Sequence, residues 1–203
     1  MLTNKFKINY SIGAVANGIK TDTFTFFLLF FYSNIIGLNP ALAGSAIFIA
    51  LCVDAVTDPL MGTISDRTNS SYGRRHPFMM ISFIPMSLGY IFLFAPRQDW
   101  DMSQSDLFIW MTIFTVITRI GMTLFDIPHR AFGGEITKNY KERTILMSWR
   151  EMFGWVAGLS NAFLGYGIFF TSTSEYPQGQ LNPDAWFPFA VTGAIFMIIS
   201  VLY

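Results

Sequence analysis

Cysteine is almost absent. The chain of 203 residues carries one, Cys52, so no internal disulfide can form. Charge is scarce as well: Asp, Glu, Lys and Arg make up 13% of the residues, about half the roughly 25% of an average soluble domain. The two histidines, His76 and His129, fall in or near the loops between apolar stretches, and Cys52 has no partner at ligand spacing, which excludes a zinc or iron centre. A nucleophile–base pair, a metal motif and a glycine-rich phosphate loop are all missing, so the reading is not an enzyme. Net charge is zero, and nothing pulls the chain toward nucleic acid. The N-terminal MLTNKFKINYSIG has a basic start but no small-residue cleavage site, and reads as the lead into a first helix rather than a removed leader.

What is present is apolar: 52% hydrophobic residues, 22 Phe and 11 Met, with a mean hydropathy of +0.43. That surplus suits a lipid bilayer. Windows of about 20 apolar residues predict an all-α polytopic bundle, one unit over 1–203, with spans near 10–36, 41–64, 78–94, 107–128, 147–172 and 186–203. Lys5, Lys7, Arg67, Arg74, Arg75, Arg130, Lys138, Lys141 and Arg143 fall on one side of these spans. The other side holds Arg97 beside Asp99, Asp101, Glu175 and Asp184. The excess of basic residues marks the cytoplasmic side, which puts both termini in the cytoplasm.

Six charges fall where lipid is expected: Lys20, Asp22, Asp54, Asp58, Arg119 and Asp126. Such residues face a bundle interior and mark substrate or ion pathways, or else neutralise one another as structural pairs. Asp54 and Asp58 lie one turn apart on one helical face. Two ionised carboxylates that close repel unless a cation or a proton sits with them. Thr57 adds a hydroxyl oxygen, and Pro59 can free a carbonyl from the helix ladder. Oxygen ligands of this kind suit a hard monovalent cation, Na⁺, or a proton. Arg119, Thr123 and Asp126 share one stripe of the fourth span; Arg119 either pairs with Asp126 or serves as a ligand itself.

At these residues the chain resembles a known family. GTISDRTNSSYGRRHP, from Gly62, is similar to the loop signature of the major facilitator superfamily. DAVTDPLMG (from Asp54), FYSNIIGLNPALAG, FDIPHRAFGGEIT and KERTILMSWREMFG resemble the glycoside–pentoside–hexuronide:cation symporters, the melibiose permease-like family, over the N-terminal six-helix half. The resemblance implies a cation site of Asp54, Thr57, Asp58 and Thr123, coupling by Na⁺ or H⁺, and no other cofactor. It implies a substrate site at Asp126 and Arg150 for a sugar-like or other small polar solute. The family's first-helix Lys-Asp pair aligns with Asn17 and Gly18, so Lys20 and Asp22, about a turn away, are the candidates to replace it. The family's stacking aromatic aligns with Arg130. A related branch moves lysolipids, which the Phe24, Phe26, Phe27, Phe30 and Phe31 of the first span would tolerate, although these rings read first as lipid-facing. The cluster Gly62, Asp66, Arg67, Gly73, Arg74 and Arg75 resembles the superfamily's cytoplasmic gate, which latches against an opposite half. The implied location is the bacterial inner membrane.

One six-helix half is expected to transport only with a second, as a homodimer, with a separate chain, or as a piece of a longer protein. The alternative is a non-transporting accessory subunit of a larger membrane complex that retains the fold.

Overall fold

A computed structural model describes residues 2–203. Among them the regular structure is entirely helical. Five helices are long and apolar enough to cross a membrane: Pro40–Arg67, His76–Leu93, Gln104–Glu135, Tyr140–Phe169 and Pro183–Leu202. In chain order they are the second to sixth spans. The first predicted span is a helical run in pieces. Asn4–Ile12 and Ala14–Asp22 lead into a π-turn at Thr23–Phe27, a short α-turn at Leu28–Phe30 and a second π-turn at Phe31–Ile36. The run stops at Gly37, whose φ of 86° only glycine adopts cheaply.

Local chemistry sets the starts. Asn39 accepts the Ala41 N–H at 2.8 Å with Pro40 at the first helical position. Ser103 and Asp106 form a reciprocal capping box on the fourth span. Asn139 accepts the N–H groups of Lys141 and Glu142. The fourth helix therefore starts at Gln104 and the fifth at Tyr140, ahead of the predicted 107 and 147; the fourth ends at Glu135, beyond 128, and the fifth helical run ends at Phe169, short of 172. The fourth continues two turns past Pro128, because His129 and Gly133 pack into the bundle against Tyr10. Tertiary packing here outweighs the lost backbone bond at proline.

The fourth span packs against the second and third, and the first against the fifth and sixth; the third and sixth join the two groups. Small residues let backbones touch. A methyl added at Gly18 would collide with the Gly154 carbonyl of the fifth span, and one at Gly121 with the Met86 backbone of the third. The opposite end is filled by rings: buried Trp186 meets Phe31, Phe94 and Phe170 at centroid distances of 5.1, 6.1 and 4.6 Å. This corrects the lipid-facing expectation for the first-span phenylalanines. Phe24, Phe27 and Phe31 are buried, while Phe26 is exposed. Thr23 ties the π-turn to the bundle, sharing a 2.8 Å bond with Tyr90 and accepting from Asn161 at 3.3 Å. The second span is the least covered, with 17% of its apolar window buried against 44% for the sixth.

Candidate functional site

Five of the intramembrane charges meet in one cavity of about 70 Å³, lined by Lys20 from the first span, Asp54 and Asp58 from the second, and Arg119, Thr123 and Asp126 from the fourth. The four-residue step of Asp54–Asp58 and that of Arg119–Thr123 place matching pairs on facing helix surfaces. Thr123 donates to Asp58 Oδ1 at 2.7 Å. Arg119 donates to Asp54 Oδ2 through Nη1. Of the two alternatives for Arg119, pairing with Asp126 is not formed; the side chain crosses to Asp54 of the second helix instead. Asp54 Oδ1, Thr57 Oγ1 and Arg119 Nε are buried without a hydrogen-bond partner among the described residues. Lys20 makes no ion pair among them either, and its ammonium lies 5.9 Å from the Phe24 ring centre.

Asp126 belongs to a second cluster. Its Oδ2 accepts from Arg130 Nε at 2.6 Å, one turn along the same helix, and its Oδ1 accepts from Arg150 Nη2. Arg150 is 1% exposed and fully engaged: Nη1 donates to Glu151 at 2.6 Å and Nε to His129 Nδ1 at 3.3 Å. An arginine only donates, so His129 Nδ1 carries the lone pair and Nε2 carries the proton. That proton is given to the Tyr10 carbonyl at 3.1 Å, and the Tyr10 hydroxyl returns a bond to the His129 carbonyl at 2.9 Å. Tyr10 and Phe125 stack on the imidazole at 4.4 and 5.0 Å. His129, read from sequence as near a loop, is thus a buried hub of the first, fourth and fifth spans.

Beside this cluster a larger cavity of about 320 Å³ is walled by Asn17, Thr21, Asp22, Arg130, Glu151 and Trp155. Asp22 turns toward it and away from the cavity of Lys20. Its carboxylate rests on Gly158, where any side chain would collide, and Oδ2 is without a partner among the described residues. Lys20 and Asp22 therefore serve different cavities. Glu151 and Trp155 were not singled out from the sequence; the signal was their spacing one and five residues after Arg150, which carries both to the same region of the fifth helix.

At the end of the second span, Asp66 accepts from Arg75 at 2.7 Å, and Arg75 and Arg74 each reach Glu135 of the fourth span at 3.2 Å. Gly73, with a φ of 92°, makes the turn that aims both arginines. Gly62 faces Ile127 of the fourth helix at contact distance. Arg67 is exposed and forms no ion pair among the described residues. The latch expected to close on an opposite half is bonded within this chain, through Glu135. That residue was missed because the fourth helix was expected to end before it.

The helices and buried charges define an integral membrane protein of transporter architecture. A family model described as MFS/sugar transport protein matches residues 9–203, and the chain belongs to that family, in its glycoside–pentoside–hexuronide:cation symporter branch. It is 34% identical over 179 residues to an uncharacterized symporter of Synechocystis sp. (strain ATCC 27184 / PCC 6803 / Kazusa), covering 87% of this chain and 33% of that protein. It is 31% identical over 163 residues to the sodium-dependent lysophosphatidylcholine symporter 1-A of Danio rerio, covering 77% of this chain and 30% of that one. Among solved structures, the inward-open xylose transporter XylE from E. coli superposes with a TM-score of 0.69 at 14% identity, covering 98% of this chain and 46% of that chain. The chain thus spans about a third of the length of these curated relatives and just under half of the structural match.

Proposed function

We propose that this chain is one six-helix half of a cation-coupled secondary transporter for a sugar-like or other small polar solute. In this reading Asp54, Thr57, Asp58 and Thr123 hold the coupling cation, Na⁺ or H⁺. The solute occupies the neighbouring cavity at Asp22, Arg130 and Glu151, with Asp126 behind Arg130 and held in place by Arg150. The observation that carries it is the cavity shared by Asp54, Asp58, Thr123 and Asp126 at membrane depth, which meets the polar cavity at Asn17, a residue lining both, and through the Asp126–Arg130 bond. A carboxylate in the first cavity, Asp126, bonded to Arg130 on the wall of the second, lets ion and solute strengthen each other's binding, and that effect is reciprocal. The lysolipid reading is supported by the name of the Danio rerio relative. The burial of Phe24, Phe27 and Phe31 in the aromatic core, and the polar walls beside Asp126, favour a polar solute.

The second half, as a homodimer or a separate chain, is supported by the poorly covered second and fifth spans and by the paired-half construction of such transporters. Basic residues at the Asp66–Arg75 loop and around Lys138–Arg143 support cytoplasmic termini in a bacterial inner membrane. The test is uptake of labelled monosaccharides by membrane vesicles containing the chain, under an imposed Na⁺ or proton gradient. Asp58→Asn is expected to abolish cation-dependent uptake. Uptake that keeps its cation dependence in that variant refutes the assignment.

A further inference from the structure

The cavity of Asp54 and Asp58 already contains two cations of the protein's own. Arg119 bonds Asp54 through Nη1, and its guanidinium carbon lies 5.5 Å from the Phe24 ring centre. Lys20 lines the same cavity beside the same ring. Asp126, the third carboxylate there, is bonded to Arg130 and Arg150. The two remaining carboxylates are therefore balanced by two fixed positive charges. A sodium ion set between them would make the cavity net positive, with a guanidinium as its neighbour. In a cavity this small, with the side chains of Arg119 and Asp54 largely buried, that repulsion is strong.

We propose that Arg119 is a tethered competitor for the coupling cation: its guanidinium occupies Asp54 and must leave before a sodium ion can bridge Asp54 and Asp58. The inference rests on the reading of these carboxylates as the cation site. The bond has the form of one that opens. It uses a single carboxylate oxygen and a single guanidinium nitrogen, and it leaves Asp54 Oδ1 and Arg119 Nε without partners among the described residues. Arg150, by contrast, has all three of its nitrogens engaged. Thr123 already orients Asp58, so the second ligand does not depend on Arg119. Asp126 lies on the same helical stripe and lines the same cavity, so a released guanidinium that turns toward it competes with Arg130 and Arg150 for its two oxygens. Ion entry would then change the charge around Asp126, whose partner Arg130 lines the solute cavity.

Sodium binding to the purified 203-residue chain in detergent tests this, by calorimetric titration from sodium-free buffer. Wild type is compared with Arg119→Gln and Arg119→Met, each with and without Asp58→Asn. Both neutral variants are expected to bind sodium at least tenfold more tightly than wild type, and Asp58→Asn to remove that binding. They should also gain a sodium-dependent rise in melting temperature that wild type lacks, which reports on folding in the same experiment. Equal or weaker sodium affinity in both neutral variants, with Asp58→Asn still abolishing binding, overturns the competitor and leaves the cation-site reading standing. Binding that survives Asp58→Asn in every background overturns the cation-site reading and the competitor with it. No sodium binding by any variant overturns the competitor.

Discussion

Two arginines of the bundle, Arg119 and Arg150, each face an aspartate at membrane depth, yet their surroundings differ. Arg150 is sealed in, with His129, Glu151 and Asp126 around it and the imidazole locked in turn by Tyr10. Arg119 and Asp54 are 13% and 22% exposed, share one bond, and keep buried polar atoms unpaired. A saturated network of buried charge specifies how three helices meet, because removing any member leaves the others desolvated and alone. An undersatisfied pair has capacity to spare for a ligand. The same residue type thus serves as a brace in one cluster and as a movable charge in the other.

The largest expected effect separates them directly. Arg150→Ala should cost about 3–5 kcal/mol, the range for breaking a buried pair, read as thermal unfolding in detergent. Arg119→Ala should cost less than half of that, since Lys20 remains in the cavity to balance Asp54. Equal losses would erase the distinction. Next, His129→Leu takes the acceptor from Arg150 and the donor from the Tyr10 carbonyl. A loss of about 1–3 kcal/mol is expected for the buried groups left unpaired, and a neutral result would remove His129 from the brace.

Thr123→Val keeps shape and deletes the bond to Asp58. About 1 kcal/mol of stability is expected to go, together with a larger rise in the cation concentration needed for half-maximal uptake. A stability loss alone, with cation dependence intact, would assign Thr123 to packing. Smallest is Arg74→Ala at the exposed end of the Glu135 bridge, where at most about 1 kcal/mol is expected and moderate salt should mask it. A larger, salt-resistant loss would show that the loop network braces the fold as Arg150 does.

Much of the architecture was legible in the sequence. Long apolar windows located the second to sixth spans, and the Asp54–Asp58 and Arg119–Thr123 spacings placed their side chains on single faces. Helix ends were less legible. Pro128 and the charges after it read as a loop, while in the structure Gly133 and His129 find partners on the first span and the helix runs to Glu135. The phenylalanines of the first span show the same limit, since a ring against lipid and a ring against Trp186 look alike in one dimension.

The sequence by itself determined that this chain lives in a bilayer, that Lys20, Asp22, Asp54, Asp58, Arg119 and Asp126 fall within the first, second and fourth apolar windows, and that Asp54 and Asp58 share a face. These follow from composition and helical periodicity, which are local. Which cation meets which carboxylate was decided only by tertiary structure. Arg119 joins Asp54 rather than Asp126, Arg150 joins His129 and Asp126, and Lys20 and Asp22 part into separate cavities. The physical reason is that pairing at membrane depth depends on which helix surfaces face each other and how closely glycines such as Gly18 and Gly121 let them approach, and neither quantity is carried by one helix alone.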